Sequence, residues 1–341
     1  MVAIILVNWN GCLDTIECLE SLLRMTDQGF VVFIVDNRSS DNSVQVLTQW
    51  AAEPPGTREI DGPWSRLPKA RVRDPDLVRM RAHDPAPPLS RANIVLIESN
   101  QNLGFAGANN LAVAVARSIG PFSHYWFLNN DTIVAPDCLS QLNAFARQDK
   151  SLGLIGARLM FYGEPDIVQG VGGFFIPWKA RAGHLGARMK VQDLPDRHEI
   201  EARTQYVMGA SLFLTTDVAL QLGPMSQDYF LYFEELDWAK KLRSDQKLGL
   251  CLDAIVYHKE GASIGTSSVS RPSDTSLYYL NTNLIRFMWT YHRPLSWIAI
   301  LRVFREMLKY VAPLDRNALK SLFAAITDRL RGHNRTGPIR W

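Results

Sequence analysis

YWFLNNDTIV, residues 125–134, is the stretch on which the fold turns. Four side chains that favour burial, Tyr125 to Leu128, run straight into Asn129, Asn130 and Asp131. A chain that only had to reverse direction would more often use Gly or Pro. Two readings are open from these residues. One is an Asx-type turn closing a core strand. The other is a strand that delivers an oxygen ligand to a site at its carboxyl end.

Upstream, the same pattern recurs. Val2–Val7 reads as a buried strand and ends in Asn8, Trp9 and Asn10; Leu13–Met25 follows with apolar residues at 13, 16, 19, 22 and 23, a helical spacing. Val31–Val35 ends in Asp36 and Asn37, and Asp41 or Asn42 can cap a helix to about Trp50. Ile94–Ile97 ends in Asn100, Gln101 and Asn102 before an alanine-rich helix to about Ile119, and Pro136–Arg147 is the helix after the opening strand. Alternating strands and helices predict an α/β, mostly parallel, Rossmann-like sheet flanked by helices. Ligands bind beyond the carboxyl ends of strands in such sheets, so four polar clusters are expected on one rim.

The rest of the chain is less regular. Residues 153–176 are rich in Gly and β-formers, 183–198 read as a polar loop, Tyr206–Leu214 as a strand, and Thr216–Leu222 as a helix. Residues 53–92 hold eight of the 18 prolines, a density no core helix tolerates. This segment is expected to be a surface insertion, partly disordered.

DYFLYFEELDWAKKL, residues 228–242, is the densest chemical signal, with five aromatics around Glu234, Glu235 and Asp237 at a helix start. Acids there satisfy the helix dipole. Aromatic surroundings also desolvate a carboxylate and raise its pKa toward the range of a general base. His258 closes an apolar run and precedes a Gly/Ser stretch, which makes it a candidate ligand. Gly104 and Gly107, at a helix start, would let backbone N–H groups approach a phosphate. Their spacing is not GxGxxG, and no acidic residue follows a new strand about 20 positions on, which argues against a nicotinamide-binding oxidoreductase.

Five motifs in order resemble the inverting glycosyltransferases of family 2, of GT-A fold, and within them the rhamnosyltransferase-like bacterial branch. They are Val7-Asn8-Trp9-Asn10-Gly11; Val35-Asp36-Asn37 with Ser40 and Asp41; Asn102 to Gly107 with Asn109 and Asn110; Leu128 to Thr132 with Pro136; and Phe230 to Trp238 with His258. The resemblance implies a GT-A catalytic domain over 1–265 and a helical C-terminal region over 266–341. It implies that Asp131, the last position of the family's Asp-X-Asp, is a ligand for Mg²⁺ or Mn²⁺ bridging a nucleotide-sugar diphosphate, although Asn129 replaces the first carboxylate. His258 would be a second ligand, and an imidazole suits Mn²⁺ better. Glu235 falls at the catalytic base, where many relatives have Asp. Asn8, Asn10, Asp36, Asn102, Gly104, Gly107, Asn109 and Asn130 fall on the donor-nucleotide side, and Glu234 and Asp237 at orienting or acceptor positions. The donor implied is dTDP-rhamnose or a UDP-sugar, and the acceptor a saccharide or lipid-linked saccharide in bacterial surface polysaccharide synthesis. Loss of the first carboxylate keeps a non-catalytic nucleotide-sugar-binding protein as the alternative.

Net charge is +3, but residues 277–341 hold 11 Lys/Arg against 3 Asp/Glu. That asymmetry calls for an anionic partner. No nucleic-acid motif is present, so peripheral contact with an anionic membrane is the expectation, at the inner face of the cytoplasmic membrane. The apolar start lacks a basic leader and is too short to span a bilayer. Cys12, Cys18, Cys138 and Cys251 have no pairing pattern and read as reduced thiols.

Overall fold

The computed structural model describes residues 1–53, 73–85, 93–259 and 271–339. The opening stretch does form a core strand: β5 (His124–Leu128) ends at the Asn-Asn-Asp turn, and β6 (Thr132–Val134) follows at once. The first half alternates β1 (Val2–Asn8), α1 (Cys12–Leu22), β2 (Phe30–Asp36), α2 (Ser43–Ala52), β3 (Leu77–Arg81), β4 (Ile94–Glu98) and α3 (Gly104–Ile119). After β6 come α4 (Cys138–Gln148), β7 (Leu152–Phe161), β8 (Val168–Gly170), β9 (Gly173–Ile176), β10 (Arg181–His184), α5 (Arg197–Arg203), β11 (Ser211–Thr215), α6 (Thr216–Leu222), α7 (Glu234–Lys240) and β12 (Lys247–His258). The chain then forms α8 (Asp274–Tyr291), α9 (Ser296–Val311) and α10 (Arg316–Leu330).

Among the described residues the main sheet has the order β3-β4-β2-β1-β5-β11-β7-β12-β6, with β8 on β7. Strands β3, β4, β2, β1 and β5 are parallel, as the alternating pattern predicts. The second half departs from it. β11 is antiparallel to both β5 and β7, and β6 is antiparallel to β12. The reason is local: Ser211 pairs with Leu128, so the chain enters β11 at the carboxyl end of β5, and Met208 to Ala210 lie beside the Asn-Asn-Asp turn.

Alternation along β1 shows why both faces are covered. Val2, Ile4 and Leu6 join a core with Leu19, Leu47 and Leu139 from α1, α2 and α4. Ala3 and Ile5 join the opposite core with Ala112 of α3 and Val218 of α6. Each large aliphatic side chain so buried contributes about 1.5–3 kcal/mol.

Two further differences concern the less regular segments. The proline-rich segment 53–92, expected as a partly disordered surface insertion, supplies an edge strand, β3, parallel to β4; its residues 54–72 and 86–92 lie outside the described residues. The polar loop expected over 183–198 begins inside the hairpin β9–β10, where Gly183 pairs with Phe174.

Candidate active site

A cavity of about 530 Å³ opens at the carboxyl ends of β1, β2, β4 and β5, and residues of α7 and of the C-terminal region complete its wall. Of the residues singled out from sequence, Asn102, Gly104, Asn130, Asp131, Glu234, Glu235 and His258 line it. Asn8, Asn10, Asp36, Gly107, Asn109 and Asp237 are not brought into its lining, and their partners explain why.

The polar rim is largely engaged with itself. Asn8 Nδ2 donates to Asp36 Oδ1 at 2.9 Å, and Ser39 donates to both Asp36 oxygens, its hydroxyl to Oδ1 and its amide to Oδ2. Thr15 donates to Asn8 Oδ1 and accepts from Asn130 Nδ2 at 2.9 Å, so the strap reaches the Asn-Asn-Asp turn. Asn10 Oδ1 accepts from the Ser40 amide at 2.7 Å. Asn109 donates back to the Phe105 carbonyl inside α3. At Gly107 an added Cβ would stand 2.9 Å from Leu103 Cβ, so its small size serves packing. Asp237 accepts from the Tyr291 hydroxyl at 2.7 Å and pairs with Lys241 at 2.5 Å.

Asp131 and His258 meet on the wall formed by the β5 turn and the end of β12. Nε2 of His258 lies 3.1 Å from Asp131 Oδ1 and 3.3 Å from Asn129 Nδ2. The other ring nitrogen, Nδ1, is 2.9 Å from Oε1 of the buried Gln169 on β8. A carbonyl oxygen only accepts, so this contact takes a proton on Nδ1, while Nε2 faces Asp131 and Asn129. Lys259 fixes the chain just beyond: its amide donates to the Asp131 carbonyl, and its Nζ bridges Asp14 at 2.6 Å and Glu17 at 2.7 Å. The Gly/Ser stretch that follows, residues 260–270, lies outside the described residues.

A carboxylate oxygen and an imidazole nitrogen 3.1 Å apart on the cavity wall are donor types that a divalent ion such as Mn²⁺ accepts. Among the described residues no cluster of three or more His, Cys, Asp or Glu side chains converges, so a bound ion would take its other ligands from substrate oxygens and water.

Glu234 and Glu235 start α7 after a strained turn. Tyr232 (φ +71°) and Phe233 (φ +77°) both occupy the left-handed region, which costs non-glycine residues about 1–3 kcal/mol each. Helix α8 holds them there. Asn283 Nδ2 donates to the Leu231 carbonyl at 2.8 Å and to that of Tyr232 at 3.3 Å, and Tyr232 Oη lies 3.1 Å from Ser276 Oγ. Phe233 packs on Phe287 and Phe230 stacks on Tyr279. The aromatics of this motif therefore form a seam with the C-terminal helices as well as surrounding the acids.

Burial pushes the carboxyl of Glu235 up to about 7, and it pushes that of Glu234 well above the ordinary range, with Glu235 adding repulsion. Glu234 Oε1 is buried without a hydrogen-bond partner, and Glu235 stands beside Gly209, where an added Cβ would come within 3.7 Å of its carboxyl carbon.

Gly104 closes the remaining side. It has φ +69°, and an added Cβ would sit 2.3 Å from the Phe230 carbonyl oxygen. That oxygen accepts from the Phe105 amide at 2.8 Å. Asn37, quoted in a sequence motif but given no role there, accepts from the Leu103 amide and donates to the Gly104 carbonyl, fixing this turn. Gln169 lacked any local signal, since only folding brings it to His258.

One cavity at the carboxyl edge of the α/β sheet thus gathers Asp131, His258, Glu234, Glu235 and the Gly104 turn. The chain belongs to glycosyl transferase family 2: the family model matches residues 3–73 and 82–199. It is a glycosyltransferase, and the oxidoreductase and non-catalytic readings give way to that. No curated protein matches the chain by sequence. Among solved structures it is similar to the mannosyltransferase PcManGT from Pyrobaculum calidifontis in complex with GDP-Man and Mn²⁺, with TM-score 0.51 and 12% identity over 96% of this chain and 86% of that one. It is also similar to GalNAc-T7 with UDP, GalNAc and Mn²⁺, with TM-score 0.57 and 12% identity over 98% of this chain and 58% of that one. These likenesses concern the fold. Among the described residues no helix is long and apolar enough to cross a membrane.

Proposed function

We propose that the chain transfers a sugar, with inversion, from a nucleoside-diphosphate sugar to a hydroxyl of a saccharide or lipid-linked saccharide. The observation that carries this reading is the convergence of Asp131, His258 and Glu235 on one cavity. Mn²⁺ and a nucleotide or nucleotide-sugar accompany both solved relatives, which supports the same ligand classes here. By the family resemblance the donor is dTDP-rhamnose or a UDP-sugar, and the setting is bacterial surface polysaccharide synthesis at the inner face of the cytoplasmic membrane. The excess of basic residues after position 277 supports peripheral contact with an anionic surface.

Asp131 and His258 would hold a divalent ion, which when bound neutralises charge developing on the leaving diphosphate. The turn fixed by Asn37 and Asn102, with Gly104 at the start of α3, lines the donor side of the cavity, but its amides at 103, 104 and 105 are taken up by Asn37, Asn102 and the Phe230 carbonyl, so the phosphate contact expected of this glycine turn would not come from them. Glu235, poised near neutrality, takes the proton from the acceptor hydroxyl as that oxygen bonds to the anomeric carbon. The anomeric C–O bond breaks at the same time, and the nucleoside diphosphate leaves with the electron pair. Glu234, whose carboxyl burial pushes well above the ordinary range, would serve as the orienting or acceptor-side group. Asn8 and Asp36 support the rim from beneath, and the 266–341 region serves as a structural partner of the 1–265 domain through α8.

Thermal unfolding against dTDP, UDP, GDP and NAD, each with and without Mn²⁺, tests the reading. A ligand at 100 times its dissociation constant adds about 2.7 kcal/mol. A Mn²⁺-dependent rise with one nucleoside diphosphate is expected. A rise with NAD alone, or with none of the diphosphates, would refute the proposal.

A further inference from the structure

Helix α9 turns an apolar face outward. Trp297, Leu301, Phe304, Leu308 and Val311 follow one another at steps of four, three, four and three residues, and each is about half exposed or more. The opposite face, with Ala299 and Val303, is fully buried against the C-terminal helices. Nine of the fourteen large apolar side chains exposed among the described residues fall between 289 and 330, so the concentration is not the scatter normal on a soluble surface.

The basic residues sit beside it. Arg305 and Lys309 are exposed along the flank of this stripe, Lys309 in an ion pair with Glu306 at 2.6 Å, and Arg305 leaves the flank with a net positive charge. Arg302, on the same helix, donates to the Ala180 carbonyl, which ties α9 to the β9–β10 hairpin. The turn of that hairpin carries Trp178, 68% exposed, next to Lys179. The hairpin's own strand β10 supplies Ala182 and His184 to the cavity wall.

We infer that the outward face of α9, with Trp178 of the adjacent hairpin, is an in-plane docking surface for an anionic lipid bilayer. A helix with Trp, Phe and Leu on one side and Arg and Lys at its flanks lies in the interface, with its apolar side chains among the acyl chains. Indole rings settle at the headgroup level. Charge selects this occupant over a second copy of the chain, because a symmetric dimer would bring two basic surfaces together. The inference deepens the membrane contact proposed above by naming its surface, and through the hairpin it sets the cavity close to the bilayer, within reach of a lipid-linked acceptor.

The test is flotation of the full chain with vesicles of phosphatidylglycerol and phosphatidylcholine in equal parts, and with phosphatidylcholine alone, in the absence of donor and acceptor. The variants are Leu301→Ser/Phe304→Ser/Leu308→Ser and Arg305→Gln/Lys309→Gln, all at exposed positions, with folding checked by circular dichroism. The wild type should float with the anionic vesicles, the triple variant should lose at least about tenfold in partitioning, and the charge variant should bind less and with a weaker salt dependence. No flotation of the wild type, or equal flotation of the triple variant, overturns the inference. So does a wild-type dimer that the triple substitution turns into a monomer while neither form floats, since the occupant is then a second copy. Nucleotide-induced thermal shifts on the same variants report on the cavity alone, so loss of the transferase reading and loss of the docking surface give different results.

Discussion

Tyr291 donates its hydroxyl to Asp237 at 2.7 Å, and so the end of α8 is fastened to the first turn of the helix that carries Glu234 and Glu235. Asp237 is buried, with Lys241 as its other partner. A carboxylate that the family resemblance puts at an orienting or acceptor position here ties the C-terminal helices to the turn bearing Glu234 and Glu235. Tyr291→Phe removes one charged-acceptor hydrogen bond and should cost about 1.5–3 kcal/mol. Urea unfolding should record this cost, with a smaller effect on turnover.

Asn283→Ala acts on the strained turn itself. It leaves the Leu231 and Tyr232 carbonyls without their amide donor, and an orphaned buried group costs about 1–3 kcal/mol. Because the turn then relaxes from its left-handed conformation, kcat should fall along with the melting temperature. A loss of stability with kcat intact would show that the strain is not needed for the base.

Glu235→Gln should lower kcat about 10²–10⁴-fold while the nucleotide-induced thermal shift survives. In the wild type, activity should rise with pH through an apparent pKa near 7, because the base must be ionised. Stability should run the other way. Both carboxyls titrate higher in the folded chain than in the unfolded one, so their contribution is complete below about 4.5 and declines as pH rises, that of Glu235 being lost through about 7. Glu234→Gln should flatten that decline, as followed by chemical denaturation across a pH series.

Gln169→Leu should weaken Mn²⁺ binding about 10–100-fold by releasing the His258 tautomer. Electron paramagnetic resonance of free Mn²⁺ measures this without turnover. Gln169→Glu, which still accepts from Nδ1–H, should restore most of the affinity. If Leu at 169 binds Mn²⁺ as tightly as Gln, His258 is not oriented in this way.

Much of the fold was legible because its signals are local. Apolar runs such as Val2–Val7 and Tyr125–Leu128, bounded by amides, identify buried parallel strands from composition alone. The antiparallel β11 was not legible, since its direction depends on the partner that Ser211 meets at Leu128. In the site, Asp131, His258 and Glu235 could be singled out because their chemistry is unusual in its surroundings. Asn8 and Asp36 were placed on the right rim, but sequence cannot tell whether an amide faces the ligand or a neighbour 28 residues away. Gln169 and Asn283 were missed for the same reason: each acts across a long loop closure, and each is an ordinary residue where it stands.

The bond from the Phe105 amide to the Phe230 carbonyl, with Gly104 pressed against the same oxygen, has a consequence for how this enzyme can vary. Two segments that lie far apart along the chain share one backbone oxygen, so neither can be exchanged alone. A chimera that imports the acidic motif of another transferase with a different backbone path at position 230 inherits a clash at the glycine. Grafts that carry both segments should fold, and grafts of either one should not. Specificity in this scaffold is therefore modular only in pairs of loops.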